Sequence, residues 1–115
     1  MKYKHNQKNI PKDVKMEIQS LCAGYHRRKR IASQRLAVLT APPSEELKAF
    51  MTWNERIDRA LEFIEEWHRG HILDDIANGK GYWRSGACPF TTYNAYYSMK
   101  NKALENLAKE LSLMI

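Results

Sequence analysis

A chain of 115 residues with 43% hydrophobic and 28% charged side chains has the balance of one globular domain, and at this size it buries roughly 60–70% of its unfolded surface without staples. The formal net charge of +6 favours a polyanionic partner, while the two cysteines, Cys22 and Cys88, lie in different segments with no neighbouring thiol, which argues for free thiols in a reducing, cytoplasmic setting rather than a bridge or a zinc site. No apolar run approaches the roughly 20 residues of a membrane span, and the basic N-terminus lacks the apolar stretch of a signal peptide.

Residues 1–9 are polar and basic without a period, and 1–10 are expected to form a flexible arm. A helix should begin at Pro11, whose missing N–H costs nothing at a first helical position. Apolar or small residues recur at Ile10, Val14, Ile18, Leu21, Tyr25, Ala32 and Leu39, close to a heptad rhythm, with Arg28 and Arg35 interrupting the seam. Gly24 is the weak point of this helix, costing about 1 kcal/mol relative to alanine. Charge is concentrated here: residues 1–40 carry ten Lys/Arg against two acids, and the remainder nine against eleven. The run His26-Arg-Arg-Lys-Arg30 reads either as a solvated face or as a patch for phosphates.

Ala41-Pro-Pro-Ser44 breaks the helix, since each proline disfavours helix at itself and at the residue before it. Ser44 is a good N-cap and Glu45 and Glu46 suit the positive terminus that follows. From there Leu47, Phe50, Asn54, Ile57, Leu61, Ile64 and His68 recur by three and four, while Met51, Trp53, Ala60 and Trp67 widen the stripe. This predicts a second long helix, packed on the first as an antiparallel hairpin over residues 11–70, with Asn54 as a register device. A stripe longer than the first helix can cover would be shared with a second copy, as a homodimer.

Glu65, His68 and His71 fall on one side of a helix and form a candidate divalent-metal trio. They supply too few ligands for a closed zinc site, and Gly70 marks the end of the helix there. His71 to Gly79 reads as a short third helix with Ile72, Leu73, Ile76 and Ala77 inward and Asn78-Gly79 as its stop. The long turn Lys80–Gly86 carries Tyr82 and Trp83, expected to cap the core. After Pro89, Thr91 or Thr92 caps a last helix whose apolar side holds Tyr93, Tyr97, Leu104, Leu107 and Leu111, with one polar interruption at Lys100. Tyr93 and Tyr97 are the expected anchors. Asn94, Ser98, Asn101 and Lys102 lie off that side.

The run from Thr92 to Leu113, Thr-Tyr-Asn-Ala-Tyr-Tyr-Ser-Met-Lys-Asn-Lys-Ala-Leu-Glu-Asn-Leu-Ala-Lys-Glu-Leu-Ser-Leu, resembles the C-terminus of the ArpU/RinA-type phage and prophage transcription regulators. In that family a Ser/Thr-rich turn leads into a recognition helix with paired tyrosines, followed by a Lys-Lys-Ala-Leu step. On this match Tyr96 and Tyr97 are the paired aromatics, Lys100 and Lys102 the basic positions, and Ala103, Leu104, Leu107 and Ala108 the packing positions. The family is similar to the DNA-reading fourth region of bacterial sigma factors. The resemblance implies a helix-turn-helix, transcription regulation, duplex DNA as partner and RNA polymerase as a second partner.

The expectation is therefore a single all-α domain, a long helical hairpin followed by a helix-turn-helix over residues 71–115, with no cofactor, no catalytic residues and no metal. Thr92, Asn94, Ser98 and Asn101 are the candidates for reading bases, since asparagine bonds bidentately to adenine and serine to several bases. Arg27, Arg28, Lys29, Arg30, Lys100 and Lys102 are the candidates for phosphates. Two alternatives stand beside this reading: a helical interaction module using the Leu47–His68 stripe, and a metal-dependent enzyme centred on Glu65, His68 and His71.

Overall fold

The computed structural model describes residues 10–38, 41–87 and 90–111; the expectations for residues 1–9, Leu39, Cys88, Pro89 and Leu113 lie outside them. The described residues form six helices and no strand: α1 Lys12–Ala23, α2 Tyr25–Leu36, α3 Glu45–Ala60, α4 Glu66–Asn78, α5 Gly81–Arg84 and α6 Tyr93–Glu110. None of them is long and apolar enough to cross a membrane.

The first expected helix is two. Gly24, at φ −90° and ψ 1°, ends α1 and starts α2. A Cβ at this position would stand 2.6 Å from Nη1 of Arg28, so the break lets a guanidinium pass where any larger residue would obstruct it. The consequence is a divided allegiance: α1 lies against α4 and α6, whereas α2 lies against α3. The antiparallel packing across the Pro-rich link is thus confined to α2 and α3.

Ser44 caps α3 as expected, its Oγ accepting from the Leu47 amide at 3.2 Å. That helix stops at Ala60 rather than near Gly70. Leu61 to Ile64 turn, and Glu65 is extended at ψ 140° before α4 begins. Arg69 holds this turn, donating from Nε to the Ile64 carbonyl at 2.7 Å and from Nη2 to the Glu62 carbonyl at 3.1 Å. Leu61 and Ile64, within the break, are both buried, which is why the three-and-four spacing runs through it unchanged. Gly70 does not end a helix; it lies inside α4, which runs on to a left-handed cap at Gly79, φ 65°.

One continuous core gathers Ile18 and Cys22 of α1, Ile57 and Ala60 of α3, Ile72 and Ile76 of α4, and Tyr96, Leu104 and Leu107 of α6. Within the expected dimer stripe, Leu47, Asn54, Ile57, Leu61, Ile64 and His68 are buried by the chain itself. Phe50 and Trp53 are half-buried, and Met51 and Trp67 at the edge of the stripe stay exposed.

Candidate nucleic-acid interface

Helix α6 divides into two halves. Its C-terminal half is packed, with Ala103, Leu107 and Ala108 fully buried and Leu104 and Leu111 nearly so. Its N-terminal half starts at a cap in which Thr92 Oγ1 accepts from the Ala95 amide at 3.2 Å, so the candidate base-reader Thr92 serves first as the N-cap. Beyond it Asn94, Ala95, Ser98 and Lys102 are exposed, and Asn101 is half-buried.

The anchor of this half is Tyr96, not the expected pair Tyr93 and Tyr97. Tyr96 is completely buried and Tyr93 is 42% exposed. Tyr96, Ala103 and Leu107 share one side of the helix at seven- and four-residue spacing, and this rotates the buried face away from Tyr93. The Tyr96 hydroxyl donates to Oδ2 of Asp75, a carboxylate that is itself wholly buried. Burial first, and then that bond, raise the phenol far above its ordinary value. Asp75 also accepts from the Gly81 amide at 2.7 Å and from Nζ of Lys100 at 3.2 Å. Tyr97 is half-buried and accepts from the Tyr82 amide through its hydroxyl at 3.1 Å. One acidic residue of α4 thus fixes the rotation of α6 and the start of α5.

This corrects two phosphate candidates. Lys100 sits in the apolar stripe of α6 with only 18% of its side chain exposed, paired to Asp75. Arg28 is 8% exposed and turned inward; its Nε donates to Oδ1 of Asn54 at 2.8 Å and its Nη2 to the Leu21 carbonyl, while Asn54 Nδ2 donates to the Tyr25 carbonyl at 3.0 Å. Desolvation lowers the Arg28 pKa, yet guanidinium keeps its proton in proteins. Arg27, Lys29 and Arg30 are exposed, as a phosphate role requires. Lys29 Nζ hangs 5.8 Å over the Tyr25 ring, and Lys102 Nζ 5.6 Å over the Phe63 ring. Glu55, Asp58, Glu62 and Glu66 line a groove beside α2 together with His26, Lys29, Arg59 and Arg69, so charges of both signs meet on that flank.

The trio Glu65, His68 and His71 does not assemble. Glu65 precedes α4 and its Oε1 accepts from Trp67 Nε1 at 2.8 Å; no group of three metal-capable side chains occurs among the described residues. His68 and His71 instead face each other with Nδ1 atoms 3.2 Å apart. His68 is 4% exposed and its Nε2 has no partner. A bare buried nitrogen is less costly than a buried unpaired N–H, so His68 is assigned the Nδ1–H tautomer, donating to His71. A metal on that nitrogen would force the proton to Nε2, where nothing accepts it. Burial and His71 lower the His68 pKa.

Asp75 is the residue that sequence reading passed over. The signal was present, because it lies three residues beyond Ile72 and one before Ile76, within the inward stripe of α4. The chain matches no family model, no curated protein and no solved structure.

Proposed function

We propose that the protein is a duplex-DNA-binding transcription regulator that presents the N-terminal half of α6 to the major groove. The observation that carries this reading is the division of α6. Its C-terminal half is sunk in the core, and its N-terminal half holds Asn94, Ser98 and Lys102 outward on a row braced from behind by Asp75, Tyr96 and Lys100. A reading helix needs this partition, because side chains that select bases must be held in place by groups that do not touch DNA. The charge supports it: no acidic residue occurs between Asp75 and Glu105 or between Glu17 and Glu45, so α2 and the exposed part of α6 carry no carboxylate of their own, the acids of the groove beside α2 lying on one flank. In this reading Asn94 and Ser98 contact bases, with Asn101 at the margin, while Arg27, Lys29, Arg30 and Lys102 contact the backbone. α4, the α5 turn and α6 take the place of the helix-turn-helix, with RNA polymerase as the second partner. The buried core requires no second copy.

Selection of bound sequences from a random duplex library, followed by titration of Asn94→Ala, tests the proposal. On the selected site the substitution should cost roughly 1–3 kcal/mol, with little change on random duplex. An intact Asn94→Ala fold with unaltered preference would refute the assignment of α6.

A further inference from the structure

Trp83 has the most exposed aromatic ring among the described residues, at 71%, which is not the core cap expected of it. Its place is nevertheless firmly held. The single turn of α5 is tied by the Gly81 amide to Asp75, by the Tyr82 amide to the Tyr97 hydroxyl and by the Tyr82 hydroxyl to the Thr91 carbonyl at 2.6 Å. Ser85 Oγ donates to the Tyr82 carbonyl and accepts from the Ala87 amide. The indole is braced edge-on by Tyr82 at 4.8 Å and flanked by Tyr93 at 6.5 Å. A turn so fixed, whose largest side chain remains in water, presents that side chain for contact.

The electrostatic surroundings indicate with what. The nearest carboxylates in sequence, Asp74 and Asp75, are each met by an ammonium, Lys80 at 2.6 Å and Lys100 at 3.2 Å. Arg84, next to the indole in the chain, is exposed. An aromatic ring beside one exposed guanidinium, with the two neighbouring carboxylates neutralised, suits a nucleobase whose phosphate lies nearby. A paired base inside a duplex hides both of its faces in the stack, whereas an unpaired base offers one.

We propose that Trp83 is a stacking platform for an unpaired base, so that the preferred ligand is DNA with a locally opened segment beside the duplex held by α6. This rests on the DNA-binding reading above. Fluorescence anisotropy at one salt concentration, with a perfect duplex, the same duplex carrying a short mismatched bubble, and the single strand, tests it. The bubble should bind roughly tenfold tighter than the duplex, within the range of one base–aromatic stack. Trp83→Ala should erase that preference while leaving duplex affinity and its salt slope in place, and Trp83→Phe should keep part of it. In a chain carrying Trp53→Phe and Trp67→Phe, bubble DNA should shield the remaining indole from iodide, a readout that stands even if Trp83→Ala folds poorly. Equal affinity for bubble and duplex, a preference that survives Trp83→Ala, or an indole still open to iodide overturns the stacking role while the DNA reading stands. Absence of binding to all three DNAs overturns both.

Discussion

Arg28 and Asn54 interrupt the apolar stripes of α2 and α3, and Asp75 and Lys100 those of α4 and α6; in each case the interruption on one helix is the partner of the interruption on the other. Removing one member of a buried charged pair leaves the other without compensation, at a cost of about 3–5 kcal/mol when burial is complete. Lys100 retains some solvent, so Asp75→Asn should destabilise by about 3 kcal/mol in urea melts, and adding Lys100→Met should recover part of the loss. Gly24 obeys the same logic from the backbone side. Alanine in an exposed helix gains about 1 kcal/mol over glycine, but here its Cβ would displace a guanidinium that is held at two points. Gly24→Ala should therefore lower the melting temperature in the native background and raise it in an Arg28→Met background.

At the scale of the element, α4 couples folding to pH. In the unfolded chain His68 takes a proton near its ordinary 6.5, and in the fold its pKa is lower because burial and His71 oppose the charge. Below about that pH the unfolded chain binds more protons than the folded one, so stability is full above it and falls as the pH drops through it. Glu65 opposes the shift in part. The Asp74 carboxyl, held below its ordinary 3.8 chiefly by its hydrogen bond from Lys80, contributes only at more acidic pH. The melting temperature should therefore decline from about pH 7.5 to about pH 5.5, and His68→Phe, which fills the site without a proton to gain, should flatten that decline. An unchanged slope in His68→Phe would remove the histidine pair as its cause.

For the whole molecule, the distribution of charge decides which cations can meet DNA. The basic run of α2 contributes three exposed side chains rather than four, because Arg28 is turned into the core. Arg27→Ala with Arg30→Ala should weaken binding about equally on all duplexes and flatten the salt dependence by up to about 2, one for each phosphate no longer neutralised. Arg28→Met should act on the melting temperature instead. The stripe of α3 is covered largely by the chain itself, with Met51 left exposed at its edge, so sedimentation at micromolar concentration should show a 13.5 kDa species.

Periodicity and capping residues by themselves determined that the chain is all-helical, that helices start after Ser44 and after Thr91 or Thr92, and that Gly79 stops one. These are local properties: a hydroxyl meeting an orphan amide, or a glycine accepting a positive φ, needs no distant partner. The split at Gly24, the early end of α3 and the burial of Tyr96 in place of Tyr93 and Tyr97 were decided only by the tertiary structure. A stripe states which residues share a side of a helix, but its centre shifts by a residue or two according to what lies against it. A polar residue within a stripe, such as Arg28, Asp75 or Lys100, reads identically whether it reaches solvent or a partner on another helix. The candidate site followed the same division. The exposure of Asn94 and Ser98 was legible because they lie off the leucine side of α6, whereas the carboxylate that holds their helix in place became visible only once α4 and α6 were brought together.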